Sequence, residues 1–169
     1  MNTVTKAGTN ASAFFALTRN PVAFRLFLLK KLPAAYFSGM NVKEVSEDSC
    51  AVTVPFRWFT QNPFRSTYFA CLSMAAEMST GILAMAHVYK RSPKVSMLVV
   101  SVEGKFYKKT TGLTKFICKE GLLIQQTIQK AIDSLESQTI KTKSSGFNEN
   151  NELVAEFWIT WSFKAKGVS

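Results

Sequence analysis

The stretch from Asn62 to His87 constrains the fold of this chain more than any other part of the sequence. It begins with a turn, and from Phe69 onward small and apolar residues follow one another with one carboxylate, Glu77, among them. A helix that is apolar on all faces has to be buried on all faces. We therefore predict a long central helix, roughly Ser66 to Tyr89, that the rest of the chain surrounds.

Alternating and helical patterns on either side of this stretch predict what surrounds it. Strands with a period of two are predicted at Met40–Val45, Cys50–Phe56, Val95–Tyr107, Leu113–Lys119, Thr139–Ser144 and Leu153–Phe163. Between Leu122 and Leu135 the apolar residues recur at helical spacing, which predicts a second helix there. A curled sheet covers an apolar helix better than a flat one. The predicted fold class is therefore α+β, with an antiparallel sheet of about six strands wrapped around one long helix.

The two ends of the chain complete the predicted domain organisation. We expect a flexible tail at residues 1–10, a single domain at 11–164 that begins with extra helices at 11–32, and a second tail at 165–169. Asn20 and Pro21 are typical of a helix start. The helix that follows has Val22, Leu26 and Leu29 on one face, which fits either a membrane-surface helix or a helix docked on the core.

The cysteine and histidine content excludes several kinds of site. Cys50, Cys71 and Cys118 stand singly, and the chain has one histidine. A zinc site or a thioredoxin-type site is therefore not expected, and neither is any other metal site. Cys50 and Cys71 have the surroundings of small buried residues in a reducing compartment, so we expect a cytoplasmic protein.

Two membrane-related segments are also predicted to be absent. The apolar run near the N-terminus is interrupted by Arg19, Asn20 and Pro21, which does not fit a secretory signal. Residues Tyr68–Val88 have the length of a membrane span, but Glu77 lies near their middle. A carboxylate is costly at the centre of a bilayer, so we predict no transmembrane segment.

The charge balance favours anionic partners. Lys and Arg together number 21 and Asp and Glu number 11, which gives a net charge of +10. Nucleic acid, anionic lipid or a phosphate-bearing ligand would suit such a surface, and so would a simple role in solubility. Lys108 and Lys109 belong to a group of lysines interleaved with aromatic residues on two predicted strands. That group could bind a nucleic acid, bind the phosphates of a nucleotide-bearing ligand, or protect a solvated sheet edge.

Glu77 is the residue with the clearest chemical potential. Successive steps of three and four residues along the helix from Glu77 give one stripe of small or polar residues, which are Ala70, Ser73, Thr80 or Gly81, and Ala84. They leave space beside the carboxylate, and burial should raise its pKa toward the range of a general acid or base. The alternative is a structural glutamate that hydrogen-bonds to Ser73, Thr80 or a nearby lysine.

Several short motifs resemble the hotdog-fold thioesterase superfamily, in its phenylacetyl-CoA thioesterase-like branch of uncharacterised members. Asn62 and Glu77 stand six residues before and nine residues after Tyr68, the spacing of an asparagine and an acid around a His-Gly-Gly turn in that branch. Met74–Glu77 resembles its Leu-Ala-Asp segment, and Lys108-Lys109 take the place of a common Arg-Pro. Tyr68-Phe69-Ala70 replaces the His-Gly-Gly turn itself.

The resemblance implies a fold, an activity and a set of site residues. It implies a hotdog fold in which Glu77 is the general base or nucleophile of an acyl-CoA thioesterase, Asn62 orients water or the thioester, and Thr80 is a supporting hydroxyl. Lys108 and Lys109 would meet the phosphates of coenzyme A, which is part of the substrate, so no separate cofactor is expected. The active site would lie between subunits of a homodimer or homotetramer.

Two other functions remain open at this point. The replacement of the glycine turn favours a non-catalytic hotdog protein that binds an acyl-CoA or a lipid-like ligand. Nucleic-acid binding rests on charge alone, and we do not expect it.

Overall fold

The computed structural model describes residues 7–166, with side chains from residue 11 onward. The helices of this region are α1 Ala7–Arg19, α2 Pro21–Lys31, α3 Pro33–Phe37, α4 Phe69–Val88 and α5 Gly121–Ser134, with a short 3-10 helix at Trp58–Thr60. The strands are β1 Asn41–Val45, β2 Cys50–Val54, β3 Val95–Phe106, β4 Thr114–Cys118, β5 Gln138–Phe147 and β6 Leu153–Ala165.

The six strands form one antiparallel sheet in the order β1-β2-β4-β5-β6-β3. Helix α4 is inserted between β2 and β3, and it contacts β2, β3, β4, β5 and β6. The predicted α+β architecture, a curled antiparallel sheet around one long central helix, is therefore confirmed. The strand bounds differ from the predicted ones by only a few residues.

Small side chains on α4 let the sheet approach the helix closely. Ala75, Ala76 and Ala84 are completely buried, as is Leu83. The strictly alternating residues of β6 face this helix, and Ile159 and the other inward side chains of that strand have almost no exposed surface. Each large apolar side chain that is fully buried contributes roughly 1.5–3 kcal/mol, so this interface is a major source of stability.

The N-terminal helices differ from the prediction in two ways. Helix α1 begins at Ala7, inside the segment expected to be a tail, whereas residues 1–6 lie outside the described part. Helix α2 docks on the core through Phe24 and Leu28, and not through the predicted face. Both faces of α2 are apolar, so periodicity alone could not identify the buried one. At the other end of the chain, β6 extends to Ala165, and residues 167–169 are not described.

Helix α4 is also the only helix in residues 7–166 with the length and hydropathy of a membrane span. Of its most apolar window of residues, 61% is buried inside the protein, which is typical of a core helix. The three cysteines are free and buried, as predicted for Cys50 and Cys71.

Candidate functional site

The carboxylate of Glu77 projects from the middle of α4 and lies near Trp161 of β6. A Cβ atom added at Gly81, one turn later, would lie 3.0 Å from Glu77 Oε1 and 3.4 Å from the ring of Trp161. The carboxylate therefore occupies the space above a glycine and beside an indole ring. A larger residue at position 81 would crowd the Glu77 carboxylate, so the glycine provides the space that this side chain occupies.

Glu77 lines a cavity of about 340 Å³ between the N-terminal helices and the core. Apart from Glu77, Lys31 and the hydroxyl of Tyr89, its lining is apolar. The residues of the lining come from α1, α2, α4 and β3, with two from helix ends, and they are Phe14, Phe24, Phe27, Lys31, Leu32, Glu77, Met78, Gly81, Ile82, Met85, Tyr89 and Met97. Such a cavity accommodates an apolar group and presents one acid to it.

Burial determines the electrostatics of Glu77. Desolvation raises the pKa of its carboxyl group from 4.5 to about 7. No side chain in the described part of the chain forms a hydrogen bond or an ion pair with this carboxylate at contact distance. Neither Ser73 nor Thr80 pairs with it, which disfavours a purely structural glutamate. A pKa near 7 lets the group accept or release a proton at neutral pH.

Thr80 lies one turn from Glu77, but its hydroxyl is engaged elsewhere. Its Oγ1 donates to the backbone oxygen of Glu77 at 2.9 Å and accepts a hydrogen bond from Trp161 Nε1 at 2.9 Å. A hydroxyl has one proton to donate. Thr80 therefore links α4 to β6, and this arrangement leaves no donor for a substrate.

Asn62 organises the turn that leads into α4. Its Oδ1 accepts hydrogen bonds from the backbone N–H groups of Phe64 and Ser66, at 2.9 and 3.2 Å. Its backbone N–H donates to the oxygen of Ser66, and its own oxygen accepts from the N–H of Arg65. The side chain thus fixes the path of the chain immediately before the helix.

Asn62, Lys108 and Lys109 line one open groove, of about 590 Å³, together with aromatic residues. Lys108 Nζ is 2.6 Å from Glu152 Oε1, whereas Lys109 has no ion pair with any described residue. The hydrogen bond from Lys108, a second one from Asn148 and the charge of Lys108 lower the pKa of Glu152. Lys109 is therefore the more available of the two cations.

The helix N-terminus at this groove also presents unpaired donors. The backbone N–H groups of Phe69 and Ala70 have no acceptor among the described residues, because the first hydrogen bonds of the helix start from Cys71 and Leu72. The positive end of the helix dipole lies at the same place.

The structure therefore places the sequence-predicted residues in two separate locations. Asn62, Lys108 and Lys109 share the groove, whereas Glu77 lies in the cavity. Glu77 follows Phe69 by eight residues, which corresponds to about 12 Å along a helix. Within one chain, a single thioester carbonyl does not reach both places.

The residues that line the cavity from the N-terminal helices were not identified from the sequence. Phe14, Phe24, Phe27 and Lys31 come from the two N-terminal helices. The sequence shows only that these helices contain several aromatic residues, and this does not reveal that the helices cover a cavity. In residues 7–166, no three His, Cys, Asp or Glu side chains converge as they would around a metal ion.

Solved structures with the same arrangement of helix and sheet identify the class as the hotdog fold. A "probable thioesterase" of unknown function from Pseudomonas aeruginosa superposes with a TM-score of 0.73, at 17% identity, over 86% of this chain and 97% of that one. The Escherichia coli PaaI protein, from the phenylacetic acid degradation operon, gives 0.63 at 10% identity, over 95% and 99%. A thioesterase from Haemophilus influenzae gives 0.60 at 14%, over 83% and 88%.

The family follows from a sequence comparison. The model of the family described as "Domain of unknown function (DUF4442)" matches residues 22–162, so the chain belongs to that family. A comparison with curated proteins gave no match. The predicted hotdog fold is therefore confirmed, and the family model places the chain in a family whose function its description leaves open.

Proposed function

We propose that this protein is an acyl-CoA thioesterase in which Glu77 is the general base or the nucleophile. The observation that carries the proposal is an unpaired, largely buried carboxylate in an apolar cavity, with a pKa of about 7. The cavity would hold the acyl group beside the acid. Structurally similar proteins named as thioesterases support the same class of reaction.

Two mechanisms fit a carboxylate in this position. As a general base, Glu77 takes a proton from water while the water oxygen attacks the thioester carbonyl carbon, and the C–S bond breaks to release the CoA thiolate. As a nucleophile, a Glu77 oxygen attacks that carbon itself, the thiolate leaves, and water hydrolyses the resulting anhydride. In the first case Glu77 then passes its proton to the thiolate, and in the second the thiolate takes up one of the two protons of the water. In both cases the products are a carboxylic acid and the thiol of CoA, and Glu77 is a carboxylate again.

Negative charge that develops on the carbonyl oxygen requires hydrogen-bond donors. The N–H groups of Phe69 and Ala70 are the candidates, because they are unpaired and lie at the positive end of α4. They are about 12 Å from Glu77 along the same helix. The proposal therefore places the α4 start of one subunit beside Glu77 of another.

The edge of the sheet supports such a dimer. Strand β3 is twelve residues long and lies at one end of the sheet, where one side of its backbone has no partner strand in the described chain. Leu98, Val100 and Val102 on this strand are 67%, 57% and 45% exposed. A long apolar edge strand favours pairing with another chain. A mass of 18.8 kDa in sedimentation equilibrium, that of one chain, would contradict the pairing.

The remaining parts of the substrate and the location belong to the same proposal. The groove of Asn62, Lys108 and Lys109 would receive the phosphates of CoA, with Lys109 as the stronger contact because Lys108 is paired with Glu152. Asn62 would act by holding the turn before α4 in place. The free, buried cysteines fit a reducing cytoplasmic location.

A second candidate function is the binding of an acyl-CoA or a lipid-like ligand without hydrolysis. Tyr68 and Phe69 favour it, because they are bulky, about half exposed, and stand beside the unpaired N–H groups. A thioester carbonyl would have to approach the backbone past these rings. Binding of an acyl-CoA in calorimetry, with no release of thiol, would select this function.

Hydrolysis across a panel of acyl-CoA substrates tests the first candidate. We expect the kcat/KM of the wild type to rise with pH through about 7, because the deprotonated form of Glu77 is the active one. Glu77→Gln should reduce kcat/KM by at least about 100-fold. The exposed Glu136→Gln serves as the matched control and should leave it unchanged. Equal activity of the wild type and Glu77→Gln would remove Glu77 from the mechanism.

The role of Lys109 is tested by a separate substitution. Lys109→Ala should raise KM for an acyl-CoA by about threefold to tenfold and leave kcat nearly unchanged, because the phosphate contact is the same in the ground state and the transition state. Lys130→Ala, on the exposed side of α5, is the matched loss of one positive charge. The assignment fails if both variants have the same KM.

A further inference from the structure

The outer face of α2 is apolar and uncovered. Val22, Leu26 and Leu29 are 70%, 54% and 42% exposed, and at 3.6 residues per turn they form one stripe along the helix. Phe24 and Leu28 on the opposite side hold the helix to the core. Leu32 and Phe37, both about half exposed, continue the apolar surface beyond the helix. We call Val22, Leu26 and Leu29 the outer stripe.

Basic residues flank the outer stripe, and the part of the sequence that contains it has no acids. Arg25 lies on one side of the stripe and Lys30 on the other, by their positions on the helix. Arg25 is held in place by the ring of Tyr36, at 4.0 Å from the ring centre, and by a hydrogen bond to the oxygen of Tyr36. Residues 1–43 of the sequence contain no Asp or Glu, whereas their basic residues are Lys6, Arg19, Arg25, Lys30, Lys31 and Lys43.

The same helix forms part of the wall of the Glu77 cavity. Lys31 and Leu32, at the end of α2, line that cavity and are exposed to solvent. At 3.6 residues per turn, Phe24, Phe27 and Lys31 lie on the side of α2 opposite the outer stripe, and Leu32 lies between the two sides. One side of α2 therefore covers the cavity, and the other side carries the outer stripe.

We propose that α2 docks on an anionic membrane surface through the outer stripe. An apolar stripe between cations is the pattern of a helix that lies in the plane of a lipid interface. Anionic headgroups complement the positive charge around the stripe. A second copy of this chain would instead bring Arg25 and Lys30 against equal charges, which is unfavourable.

Docking through the outer stripe would place α2 between the membrane surface and the Glu77 cavity, because the helix covers that cavity with its opposite side. The docking itself does not depend on the proposed thioesterase activity, and binding to vesicles measures it without any substrate.

Co-sedimentation with phosphatidylcholine vesicles, with and without phosphatidylglycerol, tests the proposal. The wild type should bind the anionic vesicles and lose most of the binding at high salt. The double variant Leu26→Gln/Leu29→Gln should bind at least about tenfold more weakly, because it removes apolar surface from the interface. Lys30→Gln should bind about fivefold more weakly, as expected for the loss of one cation near an anionic surface.

The matched control is Leu122→Gln/Leu123→Gln on α5, where both leucines are about half exposed. It should bind like the wild type, and circular dichroism should show that both double variants are folded. The proposal is overturned if the wild type does not bind, or if the two double variants bind equally. It is also overturned if Leu26→Gln/Leu29→Gln halves the mass of the protein in solution, because the stripe would then be a contact between copies.

Discussion

The structure depends on the burial of α4 inside a curled sheet, and this burial determines the state of Glu77. Once the helix is surrounded, its one carboxylate has to lie in an apolar place, and Gly81 provides the room. Without a partner, the charged form is disfavoured, which raises the pKa to about 7. A group that costs stability when charged and has no structural partner is a candidate for function.

The two pockets have different characters, which is why an acyl-CoA, with one apolar end and one phosphate-bearing end, is the proposed substrate. The cavity at Glu77 is apolar, whereas the groove at Asn62 and Lys109 is open and basic. Both lie along α4, at its middle and at its start. In the proposed dimer, paired along the β3 edge, the cavity of one chain would work with the groove of the other. The outer stripe of α2 adds a third surface, on the side of that helix that faces away from the cavity.

Much of the fold could be predicted because its patterns are local. The alternation in β6 and the apolar run of α4 are visible within a few residues, and both predictions agree with the structure. Contacts between distant residues could not be predicted in this way. The hydroxyl of Thr80 is engaged by Trp161, which is 81 residues away in sequence. The buried side of α2 depends on its neighbours, because both of its faces are apolar.

The central claim is that the fold buries the Glu77 carboxylate without an ion pair or a hydrogen bond to stabilise its charged form. The most direct test is the free energy of unfolding of the wild type and of Glu77→Gln between pH 5 and pH 8. The folded pKa is raised from 4.5 to about 7, so the folded state binds the proton more tightly than the unfolded state. The wild type should therefore lose up to about 3 kcal/mol relative to the variant as the pH rises through this range. The same pH dependence in both proteins would contradict the account.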